Sequence, residues 1–274
     1  MIRTAAILCL AALAGGCGGD YILTAPDQLA PAGKEATVVT RLQRNDFFVL
    51  ALPVEEAAMT YRAGDLPERG AYTDELGYAG TVIPAPEKPG LYDLRVAHLD
   101  VYGDLVEKKA RLFVWPADKP LVAVDLDSLP WEISGQSDPA AKAIAAVGDS
   151  AGVIYLTRQE SDQHQRLHDW LAGQGYPAGP ILLWQHKKWH IVQGSWRIPK
   201  IVIEDKMVSR LPEVKKAFAN LDYGITSSSV AAGGFAQAGL RPVIIGGAGH
   251  DGPALRRANW EALEASGLES TSSD

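Results

Sequence analysis

Four dense apolar runs in the second half of the chain constrain its fold most strongly. They are LVAVDLD (121–127), AGVIYLT (151–157), PKIVIED (199–205) and RPVIIGG (241–247). Such runs are typical of strands that are buried on both faces of a parallel sheet. Helix-like stretches lie between them, at 138–147, 159–173, 211–218 and 229–238. Strands that alternate with helices predict a Rossmann-like α/β domain of three layers with right-handed crossovers.

The first half of the chain has a different sequence pattern. Short apolar or alternating segments are separated by Gly, Pro and Asp, at 36–42, 46–53, 57–64, 79–85, 90–100 and 108–116. Six short strands without helical periodicity between them predict an immunoglobulin-like β-sandwich over 35–117. The segments contain no cysteine pair, so this prediction depends on spacing alone. We place the α/β domain at 118–266 and a disordered tail at 267–274.

The N-terminus has the pattern of a secretory signal. The apolar run from Ala5 to Ala14 follows one positive charge and is too short to span a bilayer, so 1–16 is predicted to be a signal peptide. The sequence LAGGCGG around Cys17 resembles a bacterial lipoprotein processing box. That resemblance implies a lipidated Cys17 on a tether over 17–34, and Gly18 after it favours the outer membrane, facing the periplasm. The alternative is ordinary secretion, with Cys17 as a free thiol.

The charge of the chain excludes one class of partner. The 26 Lys and Arg residues and 33 Asp and Glu residues give a formal charge of −7. Nucleic-acid binding depends on cationic side chains that neutralise phosphates, so we expect no nucleic-acid partner. Cys9 is lost with the signal peptide, and the processed chain therefore has no internal disulfide.

Two carboxylates stand at the end of the first apolar run, and a hydroxyl ends the second. The carboxyl ends of parallel strands meet at one crevice, so Asp125, Asp127 and Thr157 are expected to lie together. Carboxylates on alternate positions repel each other unless a cation lies between them. The pattern predicts either a metal-dependent phosphate site or a solvated strand end.

Two motifs at these strand ends resemble a known superfamily. VAVDLDSLP is similar to motif I of the haloacid dehalogenase-like (HAD) superfamily, and GVIYLTRQ is similar to its motif II. The closer resemblance is to the lipin-type C-terminal domain of phosphatidate phosphatases and phosphatidylinositol-transfer proteins, whose pattern residues 155–184 follow. The resemblance implies a HAD-like fold and hydrolysis of a phosphate monoester, possibly phosphatidate. A phosphorylated small molecule or a phospholipid would then be the ligand.

The resemblance also implies a role for each residue. Asp125 would be the nucleophile and Asp127 the general acid and base, and both would bind Mg²⁺ as a cofactor. Thr157 and Arg158 would hold the phosphoryl oxygens.

A lysine that binds phosphate is also expected. Lys200, just before IVIED, is the first candidate, and Lys206 at the end of that run is the second.

The sequence departs from the superfamily pattern at the third metal carboxylate. The late motif should fall in 224–240, where Ala231 stands in place of the acid. Glu204, Asp205 and Asp222 are the alternative candidates for the third metal carboxylate. With that carboxylate missing, the competing hypothesis is a HAD-like module that binds phosphorylated lipid or another phosphate ligand without turnover. A scaffold that acts through its sandwich is a third possibility.

A basic and aromatic stretch, WQHKKWHIVQGSWRIPK (184–200), has two interpretations. Tryptophans beside cations suit a membrane interface or an anionic head group. Equally, they suit a hairpin whose tryptophans fill the edge of a core and whose lysines are solvated.

Two further patterns are interpreted as structural. His164 and His168, and likewise His186 and His190, have the i, i+4 spacing of zinc ligands on a helix, but we expect surface histidines. The sequence GAGHDG (247–252) fits a dinucleotide-binding glycine pattern but comes too late in the chain, so we expect a loop before a helix over 253–266.

Overall fold

The computed structural model describes residues 21–46, 50–130, 138–159, 164–193, 199–247 and 249–268. The predicted signal peptide, Cys17 and residues 269–274 of the predicted tail lie outside the described residues. Within the described ranges, no helix is both long enough and apolar enough to cross a membrane.

Nine strands form a sandwich of two sheets in the first half of the chain. Their bounds are β1 Tyr21–Thr24, β2 Gln28–Pro31, β3 Glu35–Asp46, β4 Leu50–Pro53, β5 Ala58–Ala63, β6 Arg69–Tyr72, β7 Tyr78–Pro84, β8 Gly90–Leu99 and β9 Leu105–Trp115. One sheet has the order β1-β3-β4 with β7 also on β3, and the other has the order β2-β9-β8-β5-β6. The pairs are antiparallel except β2 with β9, which is parallel.

Alternating side chains explain why these segments fold as a sandwich. In β5, Met59, Tyr61 and Ala63 are buried, whereas the side chains between them are exposed or half-buried. The inward residues of both sheets form one core. The hydroxyl groups of Tyr61 and Thr40 lie 2.8 Å apart inside it, so the buried phenol has a hydrogen-bond partner.

The predicted tether over 17–34 is wrong from Tyr21 onward. Strands β1 and β2 both lie inside that range. Leu23 and Ala30 are buried in the sandwich core, so the chain is part of the folded unit from Tyr21 onward. Alanine, proline and glycine in this stretch indicate a linker by composition, but edge strands tolerate them.

Six parallel strands form the sheet of the second half. They are β10 Leu121–Asp125, β11 Gly152–Thr157, β12 Ile181–Leu183, β15 Leu221–Thr226, β16 Arg241–Ile245 and β17 Leu255–Arg257. Their order is β12-β11-β10-β15-β16-β17. The helices are α1 Pro139–Gly148, α2 His164–Gln174, α3 Leu211–Ala217, α4 Ser229–Gln237 and α5 Trp260–Ser266. Helices α1, α2 and α5 contribute to one apolar core of this sheet, and α3 and α4 contribute to the other.

The run PKIVIED does not belong to this parallel sheet. It lies in β14 (Pro199–Ser209), which pairs antiparallel with β13 (Gln185–Gln193) in a two-stranded sheet of its own. None of the side chains along β14 is fully buried. The position next to β10 is instead taken by β15, whose sequence LDYGIT is less apolar but is buried at Leu221 and from Gly224 to Thr226.

The predicted fold class, an immunoglobulin-like sandwich followed by a HAD-like, Rossmann-like domain of three layers, is therefore wrong for its second part, whereas a β-sandwich is present in the first half of the chain. Of the residues that the structure describes, 48% lie in strands, which form several sheets, and 21% lie in helices. One of the four strands on which the prediction depended lies in an exposed hairpin. The physical reason is that an apolar run specifies a strand but does not specify its partner.

The sandwich and the parallel sheet share one apolar core. Phe113 and Trp115 of β9 pack in the same cluster as Leu121 of β10 and Phe218, which follows α3. This shared core holds the sandwich directly against the parallel sheet.

Candidate functional site

Three neighbouring strands bring polar side chains to one edge of the parallel sheet. Asp125 ends β10, Thr157 ends β11 and Thr226 ends β15, and β10 pairs with both other strands. All three side chains are almost completely buried. The carboxyl ends of these strands thus form a polar cluster, as the sequence predicts for Asp125 and Thr157.

The two carboxylate oxygens of Asp125 have different surroundings. Its Oδ2 accepts hydrogen bonds from the hydroxyl of Ser128, at 2.5 Å, and from the hydroxyl of Thr226, at 2.8 Å. Its Oδ1 lies 3.4 Å from Nη1 of Arg158, a longer contact. One oxygen is therefore fixed by two short hydrogen bonds, and the other faces the guanidinium.

Asp127 lies on a single 3₁₀ turn, Leu126–Ser128, directly after β10. Its Oδ1 accepts from the hydroxyl of Thr157 at 2.7 Å. Its Oδ2 accepts from the backbone N–H of Arg158 at 2.9 Å and from Nη1 of Arg158 at 3.1 Å. Both oxygens of Asp127 consequently contact the end of β11.

Arg158 joins the two acids through one atom. Its Nη1 lies between Oδ1 of Asp125 and Oδ2 of Asp127. The guanidinium also lies over the ring of Trp184, 5.0 Å from its centroid, an arrangement that favours a cation on an aromatic face. The arginine side chain is 44% exposed, so one side of it remains open to solvent.

A cavity of about 560 Å³ opens beside Arg158. Residues from β11, the hairpin and α4 line it, among them Thr157, Trp184, Met207, Ser229 and Gln237. It is large enough for a small phosphorylated molecule.

The donor atoms of the cluster fit a magnesium ion. Mg²⁺ prefers oxygen ligands, keeps several waters, and is commonly bound by one or two carboxylates together with phosphate oxygens of a substrate. Asp125 Oδ1 and Asp127 Oδ2 already converge on a single positively charged atom. A cation at that position would need Arg158 to move aside. Among the described residues, no group of three or more His, Cys, Asp or Glu side chains could hold a metal ion.

The predicted phosphate lysines lie on the hairpin. Lys200 and Lys206 are exposed side chains of β14. Within the described ranges, neither has a hydrogen bond or ion pair with Asp125 or Asp127. Arg158 is the cationic side chain that contacts both acids.

The alternative acids for the third metal position are engaged elsewhere. Glu204 pairs with Lys188 at 3.0 Å, and Asp205 pairs with Lys187. Lys188 and His190 lower the pKa of Glu204, and the hydrogen bond from Lys188 is the main cause.

Asp222 similarly pairs with Lys215 at 2.8 Å. This pair belongs to the N-terminal end of β15, opposite the end that carries Thr226.

The sequence did not indicate Ser128 and Thr226 as site residues. Both donate to the oxygen of Asp125 that is turned away from Arg158. Thr226 is the last residue of β15, a position that the sequence could have indicated if 221–226 had been recognised as a core strand.

In the basic and aromatic stretch 184–200, Trp184 precedes β13, residues 185–193 form β13 and residues 199–200 begin β14, with 194–198 outside the described residues. Lys187 and Lys188 pair with acids across the hairpin, and His190 lies 3.2 Å from Glu204. The opposite charges neutralise these basic side chains locally. Of the two predicted interpretations, the described contacts favour the hairpin, although Lys187 and Lys188 form ion pairs and are not simply solvated.

The prediction of surface histidines is wrong for the first pair. His164 and His168 on α2 are both buried. The predicted helix over 253–266 begins only at Trp260, because residues 255–257 form β17 at the edge of the parallel sheet. Residue 248 of the GAGHDG sequence lies outside the described residues.

Comparisons with known proteins give fold likenesses only. No family model matches the chain, and no curated protein matches it. A structure of PhoD is 11% identical, with 62% of this chain and 40% of that chain covered and a TM-score of 0.32. The carbohydrate acetylesterase XAC1771 from Xanthomonas citri is 10% identical, with 86% and 70% covered and a TM-score of 0.29. The tandem Ig repeats of Dlar are 12% identical, with 39% and 58% covered and a TM-score of 0.27.

These comparisons do not support the expected superfamily. The chain spans about 58% of the length of the Dlar structure, and all three TM-scores are below 0.5, so none of these likenesses supports an argument about function. The assignment to the HAD superfamily and its lipin type is wrong: no family model matches the chain, and the likenesses described above are to Ig-like repeats, a carbohydrate acetylesterase and PhoD. What the fold and the site define is a β-sandwich joined to a parallel sheet, with an acid–arginine cluster at the carboxyl ends of its strands.

Proposed function

We propose that the protein binds a phosphate monoester at the cluster of Asp125, Asp127 and Arg158, together with a divalent cation, and does not hydrolyse it. The observation that carries the proposal is that one oxygen of each acid converges on Nη1 of Arg158. The ligand would occupy the cavity of about 560 Å³ beside the arginine.

Charge balance explains why a cation belongs to this proposal. Two carboxylates and one guanidinium carry a net charge of −1, which repels a phosphate dianion. A divalent cation between Asp125 and Asp127 would reverse that sign and release Arg158. The guanidinium offers paired N–H donors that match phosphate oxygens in a bidentate arrangement. Arg158 therefore serves as the counter-ion in the free protein and as the phosphate ligand in the complex.

The contacts of Asp127 argue against turnover. A general acid must carry a proton that it can donate to the leaving group. Both oxygens of Asp127 already accept hydrogen bonds, from Thr157 and from the backbone and side chain of Arg158. Three donors occupy most of the roughly four acceptor positions of this carboxylate, so Asp127 would have to release some of them before it could pass a proton to a leaving group.

Hydrolysis through Asp125 is the second candidate, and one observation favours it. Ser128 and Thr226 fix Oδ2 of Asp125, while Oδ1 has only the longer contact of 3.4 Å with Nη1 of Arg158 and would be freed if the guanidinium moved. A nucleophilic carboxylate needs one oxygen that is oriented and unblocked. The two candidates make opposite predictions about release of inorganic phosphate.

The same protein is proposed to be held on a membrane of the bacterial cell envelope through acylation of Cys17. The support is the sequence around Cys17 alone, since this residue lies outside the described residues. A phospholipid with a phosphate monoester head group would then lie within reach of the chain, and a free phosphorylated molecule is the other source of the same chemistry.

Calorimetry with glycerol 3-phosphate, with and without Mg²⁺, tests the proposal. Binding is expected only when Mg²⁺ is present, and the same samples are assayed for released inorganic phosphate. Sustained release of phosphate that stops in Asp125→Asn would replace the binding function by hydrolysis. Vesicles that contain phosphatidate, compared with the soluble ester, distinguish a lipid source from a free one.

Two variants sharpen the test. Arg158→Ala removes charge-assisted hydrogen bonds to phosphate, each worth about 1.5–3 kcal/mol, so ester affinity should fall roughly tenfold or more. Lys200→Ala is the matched control, because this exposed lysine on β14 should leave the affinity unchanged. Equal losses in both variants would place the phosphate on the hairpin instead.

A further inference from the structure

The turn between β8 and β9 exposes four large apolar side chains. They belong to Leu99, Val101, Tyr102 and Leu105, which we call the apolar tip. Val101 is 93% exposed and Tyr102 is 86% exposed. Single exposed apolar residues are common, but several at the apex of one hairpin indicate an interaction surface.

Hydrogen bonds hold the apolar tip in one conformation. Oδ1 of Asp100 accepts from the backbone N–H of Tyr102 at 2.9 Å and from that of Asp104 at 2.8 Å. The backbone N–H of Asp100 donates to the carbonyl of Asp104 at 3.0 Å. Gly103 has a φ of 89°, a left-handed conformation that glycine adopts readily. The turn therefore presents Val101 and Tyr102 to solvent without the cost of ordering a loop.

The apolar tip lies where the chain enters the sandwich. The ring of Tyr21, the first described residue, packs edge-on against that of His98, with centroids 5.6 Å apart. Burial, and then the charge of Asp100, raises the pKa of the Tyr21 hydroxyl. Tyr21 is thus a neighbour of the base of the turn.

Cys17 is close to this point along the chain. Three residues lie between it and Tyr21, so the two Cα atoms are at most about 14 Å apart along an extended backbone. An acyl chain on Cys17 would place the membrane surface within that distance of the entry point. The exposed Tyr72 lies at the same end of the sheet, because it pairs with Ala58 while Met59 pairs with His98.

We propose that the apolar tip enters the interfacial region of the lipid bilayer beside the acylated Cys17, as a second membrane contact that orients the protein. This inference rests on the proposed acylation of Cys17. One flexible attachment leaves the orientation of a protein free, whereas a second contact at the same end restricts it. The long axis of β8 and β9 would then point away from the membrane.

The chemistry of the apolar tip suits a bilayer. Aliphatic side chains gain free energy on leaving water, and tyrosine is favoured at membrane interfaces because its ring is apolar and its hydroxyl polar. Residues 99–106 contain two aspartates and no lysine or arginine. The contact should therefore depend on apolar burial and show no preference for anionic lipids.

Site-specific labelling of the full chain, processed in a bacterial host, tests the inference. The mass of the N-terminal peptide first establishes whether Cys17 is acylated. Val101→Cys then receives an environment-sensitive maleimide fluorophore, and the protein is reconstituted in vesicles of phosphatidylethanolamine and phosphatidylcholine. Leu91→Cys is the matched control, because Leu91 is also an exposed leucine of β8. It lies near the end of β8 opposite the apolar tip, about 27 Å from Leu99 at 3.4 Å per residue. The unmutated chain gives the labelling background.

In vesicles with brominated acyl chains, the label at 101 should shift to the blue and lose at least half of its intensity, and the label at 91 should not change. Replacing a third of the phosphatidylcholine by phosphatidylglycerol should leave this result unaltered. If Cys17 is acylated but the label at 101 is not quenched, the inference is overturned and the proposed acylation remains. If Cys17 carries no acyl chains, the proposed acylation is wrong, and the inference that rests on it is overturned as well. Self-quenching of the label at 101 that grows with protein concentration would assign the apolar tip to a second copy of the chain and so overturn the membrane contact.

Discussion

Oδ2 of Asp27 lies 2.6 Å from Nε2 of His168, although 141 residues separate the two along the chain. The same oxygen accepts a hydrogen bond from the backbone N–H of Ile181 at 2.8 Å. Asp27 lies between β1 and β2 of the sandwich, His168 is on α2, and Ile181 begins β12. Phe113 of β9 stacks beside the histidine ring, with centroids 6.4 Å apart. One buried carboxylate therefore ties the sandwich to the parallel sheet.

Replacement of Asp27 should destabilise the whole protein. Asp27→Ala leaves the histidine and the N–H of Ile181 without their acceptor inside a buried contact, at a cost of about 2–4 kcal/mol in the free energy of unfolding. Asp27→Asn retains an acceptor oxygen for Ile181 and should lose less. Urea unfolding followed by circular dichroism measures both. Free energies within about 0.5 kcal/mol of the unmutated protein would mean that the pair is not a tie between the two parts.

Loss of the Thr226 hydroxyl should weaken both stability and ligand binding. Thr226→Val keeps the shape of the side chain but removes the donor to Asp125 and the acceptor for the backbone N–H of Ser228. We expect a loss of about 1–3 kcal/mol in stability, because buried polar groups lose their partners. Thr226→Ser keeps the hydroxyl and is the control. The affinity for glycerol 3-phosphate with Mg²⁺ should fall in the valine variant only.

Two glycines near α4 should respond in opposite ways to alanine. A Cβ on Gly224 would lie 2.2 Å from the ring of the fully buried Phe235, so Gly224→Ala should cost about 3 kcal/mol. A Cβ on Gly233, inside α4, meets no atom within 4 Å, so Gly233→Ala should stabilise by about 0.5–1 kcal/mol through helix propensity. Chemical unfolding of the two variants compares them directly. Equal stability of both would contradict the tight contact between β15 and α4.

Arg158→Ala should have opposite effects on two affinities. Without ester, removal of the guanidinium leaves the two carboxylates without their counter-ion, so the affinity for Mg²⁺ alone should rise. With Mg²⁺ saturating, the affinity for the ester should fall, because the phosphate loses its bidentate donor. Titrations of Mg²⁺ and of glycerol 3-phosphate by calorimetry give both values. A fall in both would mean that Arg158 does not exchange between the acids and the ligand.

Stability should decline steeply in alkaline solution. Burial raises the pKa of Tyr61 and Tyr155 above the ordinary value of 10.0. The unfolded chain releases these protons near pH 10, whereas the folded protein retains them, so this contribution to stability is complete below pH 10.0 and is lost as the pH rises above it. Urea midpoints measured on either side of pH 10.0 test the expectation. Tyr155→Phe should flatten the decline, whereas Tyr72→Phe, at an exposed phenol, should not.

Local patterns in the sequence predicted several elements closely. Helix α4 was expected at 229–238 and lies at Ser229–Gln237, because Ser228 caps its first turn and apolar residues follow at helical spacing. Strand β8 was expected at 90–100 and lies at Gly90–Leu99. These elements depend on residues that are near each other along the chain.

Partner choice between strands was not determined by such patterns. PKIVIED is more apolar than LDYGIT, yet the first forms β14 in an exposed hairpin and the second forms β15 beside β10. The buried faces of a strand depend on what packs against them, and Phe235 of α4 covers Gly224 of β15. The same uncertainty placed the candidate lysines on the wrong element and left Thr226 out of the site.

By itself, the sequence determined that Asp125 and Thr157 each end a strand, because an apolar run followed by a polar residue marks the end of a buried strand. Only the tertiary structure decided that Arg158 lies between Asp125 and Asp127, and that Ser128 and Thr226 hold the other oxygen of Asp125. The physical reason is the distance along the chain between the residues that interact. Strand ends follow from the polarity of neighbouring residues, whereas the atom that neutralises a buried carboxylate depends on distances between side chains that the fold alone brings together.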